Sequence, residues 1–271
     1  MYLNNYQYFK KNETFILALL ISISIFVRIP VILLFGDTSL ENEWEVLVDN
    51  LIVHGTLSLR NFDGFLLPDL LLPPLYSIYL YFFSLFNLEE QNYIRLILSS
   101  QVLLSSISVV VFYEINKLFF SKKISFYSSL FFSLFPLHVY ACGQISSISL
   151  QSFLTILFFY FFFQFTNKKN FLSIFLFSFT SGLLMLLRGE FIIIFFVSIL
   201  YLLFFLKIPL KNIFLIFLIS LLTISPYLVR NLITFKTVTI TKSFGYNLWK
   251  GNNINSTVEG SVLIENNLQN Q

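Results

Sequence analysis

The amino-acid sequence predicts an all-α fold, a polytopic bundle of transmembrane helices with an amphipathic juxtamembrane helix in the first outer loop. Composition is the first reason: of 271 residues, 56% are hydrophobic and 11% are charged, whereas about 25% of a soluble domain is charged. The second is a mean hydropathy of +0.79, concentrated in long apolar runs. Too few polar side chains remain to cover a soluble core, so we expect an integral membrane protein.

Eight apolar runs set the candidate helices. The first run follows Lys10 and Lys11. It is longer than a signal-peptide core of roughly 7 to 15 residues, so it is predicted to be a retained membrane helix. The runs lie at 14–35, 73–87, 93–116, 124–142, 146–166, 170–187, 190–206 and 209–229.

The lysines between these runs predict the topology. Clusters at 10–11, 117–123, 168–169 and 207–211 should all face the cytoplasm by the positive-inside rule. All four fall on that side only if the run at 73–87 does not cross. That run is also short, because a spanning helix needs about 20 residues. We therefore expect seven crossings.

This topology places three polar regions on the non-cytoplasmic side: the first outer loop at 36–72, the turn at 188–190, and the tail from 230. The chain is expected to form one membrane module, 1–229, followed by an outer-side tail, 230–271. A net charge of only +3 without a long basic patch argues against a nucleic-acid partner. Cys142 is the only cysteine, which excludes an intrachain disulfide and a multi-cysteine metal site.

Half of the acidic residues fall in the first outer loop. Apolar positions from Trp44 onward recur at helical spacing, while Glu41, Glu45 and Asp49 share another face, which predicts a short amphipathic helix on the membrane. In one interpretation the acids are only the hydrated face of that helix. In the other, Glu41 or Glu43 is a general base that takes a proton from the hydroxyl of a sugar acceptor. The loop's acidic residues are Asp37, Glu41, Glu43, Glu45, Asp49, Asp63 and Asp69.

Arginines occupy the outer ends of several predicted helices. At Arg188 and Arg230 a guanidinium can hold a phosphate through charge-assisted, often bidentate hydrogen bonds. A terminal arginine also commonly snorkels to the interface without any ligand. Both interpretations apply equally to Arg28 and Arg95, which lie toward the outer ends of their runs.

The block from Gly245 to Asn253 contains two glycines and several amides. This composition predicts a tight loop, either a plain turn or one that offers donors to a sugar or phosphate. His54 and His138 are far apart in sequence and are not expected to bind a metal. The acidic loop leaves a divalent cation open through oxygen ligands but does not require one, and no other cofactor is indicated.

Several blocks of the sequence are similar to those of one family. They are Glu41, Trp44, Gly55 and Pro73-Pro74-Leu75-Tyr76 in the first loop, Phe135-Pro136 within a helix, Leu187-Arg188-Gly189-Glu190, Ser225–Asn231 and Gly245–Asn253. At these spacings the chain resembles the C-type glycosyltransferases, which use lipid-linked sugars. That superfamily includes the protein O-mannosyltransferases and the bacterial aminoarabinose transferase of lipid A.

The resemblance implies an inverting glycosyltransferase that takes a sugar from a polyprenyl phosphate. Its acceptor would be a lipid, a glycan or a protein outside a bacterial plasma membrane, the cell inner membrane. The family's leading Asp falls on Leu40, so Glu41 or Glu43 would be the catalytic base. Relatives continue through further helices, so the tail from 230 is expected to begin a longer C-terminal part. Contacts to substrate or phosphate are implied for Tyr76, Arg188, Arg230, Asn231, Gly245, Asn247 and Asn252.

Two other functions stay open. A lipid-linked sugar transporter or flippase would place polar residues deep inside its helices and often show repeated halves. The sequence indicates neither feature, because the charges within the predicted spans lie nearer helix ends than centres. A non-catalytic or truncated membrane subunit is the other alternative.

Overall fold

The computed structural model describes residues 2–40, 42–62 and 65–252, and almost every element in these ranges is helical. The helices are α1 (Tyr2–Phe35), α2 (Asn42–His54), α3 (Leu75–Ser84), α4 (Glu90–Asn116), α5 (Lys122–Leu134), α6 (Pro136–Tyr140), α7 (Ile148–Lys168), α8 (Phe171–Leu187), α9 (Phe191–Leu200), α10 (Leu210–Phe235) and α11 (Ser243–Gly251). Two short strands, β1 (Arg60–Phe62) and β2 (Phe65–Leu67), pair antiparallel in the first loop. Apart from this small hairpin, the all-α prediction is confirmed.

Four helices are long and apolar enough to cross a membrane by themselves. They are Glu13–Phe35 of α1, α4, α7 and α10. The first contains 23 residues, which at 1.5 Å per residue gives about 34 Å and exceeds the hydrocarbon core of about 30 Å. The chain is therefore a polytopic integral membrane protein.

The other three predicted crossings are occupied by helices of different form. α5 and the α6 segment are bent by 54° between Leu134 and Pro136. Phe135-Pro136 therefore separates two helices, where one continuous helix was expected. Proline lacks an N–H and disfavours helical backbone in the residue before it, which explains the break. α8 and α9 are shorter apolar helices, and α9 continues into a π turn, Tyr201–Phe205. Seven crossings thus remain a prediction.

The helix α3 occupies the run that was predicted not to cross. It has 10 residues, about 15 Å at helical rise, which is half of a hydrocarbon core. Tyr76, Ser77 and Leu80 are buried on its inner face. α3 packs against α2, α4 and α8, so it belongs to the end of the bundle that carries the first loop.

The spanning helices form a connected bundle in which α4 is central. α4 packs against α1, α5 and α7, α7 packs against α8, and α8 packs against α10. Large apolar side chains such as Ile97, Phe158, Phe177 and Leu184 fill the interior. Gly182 allows α8 and α10 to approach closely, because a Cβ placed there would lie 2.6 Å from Cβ of Thr223 on α10.

Contacts between loops define the two ends of the bundle. At one end, Lys117 Nζ lies 2.5 Å from Glu13 Oε1, and Lys122 Nζ lies 3.7 Å from the same carboxylate. At the other end, the carboxylate of Asp37 accepts the backbone N–H of Ile145 at 2.6 Å. The start of the first span therefore shares an end with the lysine cluster after α4, as the predicted topology requires.

Candidate functional site

The first outer loop contains the amphipathic helix that the sequence predicts. Leu47 and Val48 of α2 are buried, and the ring of Trp44 meets the ring of Tyr76 edge to face, with centroids 4.7 Å apart. The apolar face of α2 is therefore covered by α3 rather than by lipid alone. α3 fixes the position of the acidic helix relative to the bundle.

The acidic face of α2 is exposed. Glu43 and Glu45 lie in the first turn, and both are exposed, as is Asp49. A carboxylate at a helix N-terminus is favoured by the helix dipole. Glu43 is thus accessible to a substrate, while the alternative base, Glu41, lies outside the described residues.

Tyr76, predicted to contact substrate, is buried. Its hydroxyl donates to Oε1 of Gln101 at 3.3 Å, and its ring stacks on Tyr79 as well as meeting Trp44. Burial raises the pKa of Tyr76 well above its usual range, so the phenol stays protonated and remains a donor. Its observed contacts position α2.

Gln101 connects three elements at the end of the bundle that carries the first loop, and the sequence did not predict this role. The side chain is fully buried, and its amide Nε2 donates to the backbone carbonyls of Gln144 at 2.9 Å and Cys142 at 3.4 Å. Together with the bond from Tyr76, this ties α3, α4 and the turn at 142–144 together. The signal was an amide in the middle of a predicted membrane span, where such polar side chains are uncommon.

Arg230 connects the end of α10 to the first loop. Its guanidinium donates to the backbone carbonyls of Asp69 and Leu57, each at 3.3 Å, and to Oδ1 of Asn231 at 2.9 Å. The guanidinium also lies 5.1 Å from the ring centroid of Phe235. Most of its binding capacity is used within the protein, so Arg230 braces the loop.

The chain after α10 continues this connection. Asn231 is fully buried, and its Nδ2 donates to the carbonyl of Thr239 at 2.7 Å. Thr241 Oγ1 in turn donates to the carbonyl of Leu71 at 3.1 Å. The described part of the tail therefore packs on the first loop, and Asn231 shapes the turn between them.

Arg188 closes the site from the third polar region. It is the C-terminal cap of α8 and is half-buried, and its buried Nε has no hydrogen-bond partner in the part of the chain that the structure describes. No ion pair joins it to Glu190 within the described residues. A Cβ on the neighbouring Gly189 would lie 3.2 Å from Cγ2 of Thr241, so this turn touches the tail. All three polar regions thus meet at one end of the bundle.

The predicted tight loop at Gly245–Asn253 is instead a helix as far as the structure describes it. α11 holds Gly245 and the exposed Asn247, and Asn252 follows it with Nδ2 donating to the carbonyl of Leu248 at 2.7 Å. Apolar residues at helical spacing favour this conformation over a turn, and the two glycines do not prevent it. Asn253 lies outside the described residues.

Arg28 neither snorkels to a surface nor is open to a ligand, contrary to the interpretations drawn from sequence. It is fully buried. Its Nε donates to Ser105 Oγ at 2.9 Å, and Nη1 donates to the carbonyls of Ser133 at 3.0 Å and Ser24 at 3.1 Å. Ser133 lies in the last turn of α5, where free carbonyls and the helix dipole favour a cation. Arg95, by contrast, is exposed.

The described residues contain no group of three or more His, Cys, Asp or Glu side chains that could hold a metal ion. The fold and these contacts define a class of protein. It is a polytopic helical membrane protein in which the acidic α2, the capping Arg188 and the basic chain after α10 meet at one end of the bundle. Neither a scan against models of protein families nor a search of curated proteins finds a match for the chain.

Proposed function

We propose that the protein is a glycosyltransferase that moves a sugar from a polyprenyl phosphate to an acceptor outside a bacterial plasma membrane. One observation carries the proposal. The acidic α2, the Arg188 turn and the Arg230 connection meet at the same end of the bundle. These are the segments in which the chain resembles the C-type glycosyltransferases. The acceptor is a lipid, a glycan or a protein.

In this proposal Glu43, or Glu41 beside it, is the general base. The acceptor hydroxyl transfers its proton to the carboxylate while its oxygen bonds to the anomeric carbon. The bond from that carbon to the lipid-phosphate oxygen breaks, and the phosphate leaves with the electron pair. A single displacement of this kind inverts the anomeric configuration.

Arg188 is the better candidate of the two arginines for binding the phosphate. Its Nε has no partner among the described residues, whereas the guanidinium of Arg230 already donates to two loop carbonyls and to Asn231. Fixed cationic donors stabilise charge that develops on a leaving phosphate. Arg230 then acts by holding the loop that carries the base.

The test is transfer from a radiolabelled polyprenyl-phosphate sugar in membranes containing each variant. Glu41→Gln, Glu43→Gln and the double variant should separate the two carboxylates, and loss of a general base lowers the rate by about 10²- to 10⁴-fold. Glu45→Gln is the matched control, because Glu45 is exposed on the same helix. Unchanged transfer in the double variant would remove the proposed base.

A second experiment tests the phosphate contact. Arg188→Gln should reduce transfer and weaken binding of the lipid-linked donor, while Arg188→Lys keeps the charge but loses the planar fork of donors. Arg95→Gln is the control, since Arg95 is exposed and lies outside the assembled regions. Equal donor binding in the Arg188 and Arg95 variants would count against the assignment.

A transporter of lipid-linked sugar is the second candidate, and Arg28 is the observation in its favour. Buried charges in membrane helices often mark transport pathways. However, Nε and Nη1 of this guanidinium donate three hydrogen bonds to Ser24, Ser105 and Ser133. These bonds satisfy most of the buried group, although its Nη2 has no partner among the described residues. A reconstituted protein that moves the lipid-linked sugar across vesicles without transferring it would favour the transporter.

A further inference from the structure

The helix α11 presents an apolar face that no described element covers. Phe244 is 78% exposed, Leu248 is 56% exposed and Trp249 is 39% exposed. Their spacing places all three on one side of the helix. A short helix with an uncovered apolar face that includes a tryptophan is typical of a membrane interface.

The position of α11 is fixed at the end of the bundle. Just before it, Lys242 N–H donates to the carbonyl of Leu70 at 2.9 Å, and Thr241 Oγ1 donates to the carbonyl of Leu71. It follows the last residues of α10, a helix long and apolar enough to cross the membrane. α11 therefore lies where the spanning helix leaves the bilayer.

The length of α11 also calls for an apolar partner. It has nine residues, and isolated helices shorter than about 12 residues are marginal in water. Local hydrogen bonds hold its ends, with Ser243 N–H donating to Thr241 Oγ1 at 3.1 Å and Asn252 N–H donating to the carbonyl of Trp249 at 3.2 Å. Burial of its apolar face against an apolar partner would supply the remaining stabilisation.

The charge of this region selects the kind of lipid. From Arg230 to Asn252 the sequence contains three lysines and one arginine but no acidic residue. Lys236 and Lys242 are exposed. Exposed basic groups at a bilayer surface attract anionic headgroups.

We propose that α11 docks on an anionic phospholipid surface, with Phe244, Leu248 and Trp249 inserted at the boundary between headgroups and acyl chains. The lysines at 236, 242 and 250 supply the preference for anionic lipid. Docking of this helix holds the basic stretch from Arg230 to Asn252 at the membrane surface. The inference stands independently of the sugar-transfer reaction.

Tryptophan fluorescence tests the proposal directly, because Trp44 and Trp249 are the only tryptophans. The Trp44→Phe protein is placed in nanodiscs of phosphatidylcholine with or without phosphatidylglycerol, and the lipids carry bromine near either end of the acyl chain. Trp249 should be quenched about twofold or more strongly by bromine near the headgroup than by bromine near the methyl end, as for an interfacial side chain. Quenching should be stronger with phosphatidylglycerol and weaken as salt is added.

Lysine variants test the lipid preference. Substitution of Lys236, Lys242 and Lys250 by Gln should abolish the difference between the two lipid compositions. Lys207→Gln with Lys211→Gln, just before α10 and in its first turn, should leave the difference unchanged. Trp249 emission typical of water, without quenching in either lipid, would overturn the docking. Equal quenching in both compositions would overturn the anionic preference. If Trp44→Phe does not fold, the difference between wild type and Trp249→Phe gives the same readout.

Discussion

A buried guanidinium is the least expected residue of the bundle, and its partners explain why it is tolerated. Arg28 donates to a serine hydroxyl and to carbonyls on α1 and α5. The carbonyl of Ser133 lies close to the break at Pro136, where the next turn of the helix offers it no backbone N–H donor. The positive charge is thus compensated by helix-end carbonyls, which sequence spacing alone does not bring next to Arg28.

Removal of this guanidinium should destabilise the protein. Arg28→Met saves the desolvation cost of a cation but leaves the carbonyl of Ser133 without its donor, so we expect a net loss of about 1 to 3 kcal/mol. Thermal unfolding of the purified protein in detergent measures the change. Arg95→Met is the matched control, because Arg95 is exposed, and equal melting temperatures for the two variants would contradict the structural role.

Gln101 should be important for the position of the acidic helix. Gln101→Leu leaves the hydroxyl of Tyr76 and the carbonyl of Gln144 unpaired in a buried site, which costs about 1 to 3 kcal/mol for each group left unsatisfied. Hydrogen exchange should accelerate in α2 and α3 more than in α8. Gln91→Leu, an exposed substitution in the same helix, should leave exchange unchanged, and equal acceleration in α8 would point to general destabilisation instead.

At the scale of elements, hydropathy periodicity predicted α2 and the principal helices well. It placed a continuous helix across Phe135-Pro136, where the structure has a bend of 54°. It also read 245–253 as a loop, although Phe244 and Leu248 have helical spacing within α11. Pro136 ends a helix that the apolar run favours. The two glycines near 245–251, in contrast, do not prevent α11 from forming.

The contact between α8 and α10 gives a prediction for helix packing. Gly182→Val would place a Cβ 2.6 Å from Cβ and 2.7 Å from Cγ2 of Thr223, so the helices must separate. Overpacking of this kind costs about 1 to 3 kcal/mol or more, and the melting temperature should fall. Gly245→Ala is the control, since open space surrounds a Cβ there. A Gly182→Val protein as stable as this control would contradict the close approach.

At the scale of the whole molecule, lysine placement and loop contacts describe the same two ends. The ion pairs of Glu13 with Lys117 and Lys122 lie at one end, while Asp37 and Arg230 hold polar segments at the other. The positive-inside rule predicts that the first of these ends faces the cytoplasm. Sequence could predict which loops share an end but not which atoms connect them.

Cysteine labelling tests this arrangement. In a Cys142→Ser background, His54→Cys and Lys236→Cys should both react with a membrane-impermeant maleimide applied to intact cells, whereas Lys123→Cys should react only after permeabilisation. All three positions are exposed, so access depends on the side of the membrane. Serine at 142 preserves the bond that the thiol donates to the carbonyl of His138. Labelling of 54 and 236 from opposite sides would contradict the shared end.

The sequence by itself determined the solvent of this protein, because its composition permits only a lipid-facing bundle. It also determined the amphipathic α2 and the grouping of polar loops, since both follow from local periodicity and from the parity of crossings. Only the tertiary structure decided how the polar side chains are used. Arg230, Tyr76 and Gln101 make hydrogen bonds to residues far away in sequence, while Nε of Arg188 has no partner among the residues that the structure describes. Such pairings depend on helix packing that no local pattern specifies.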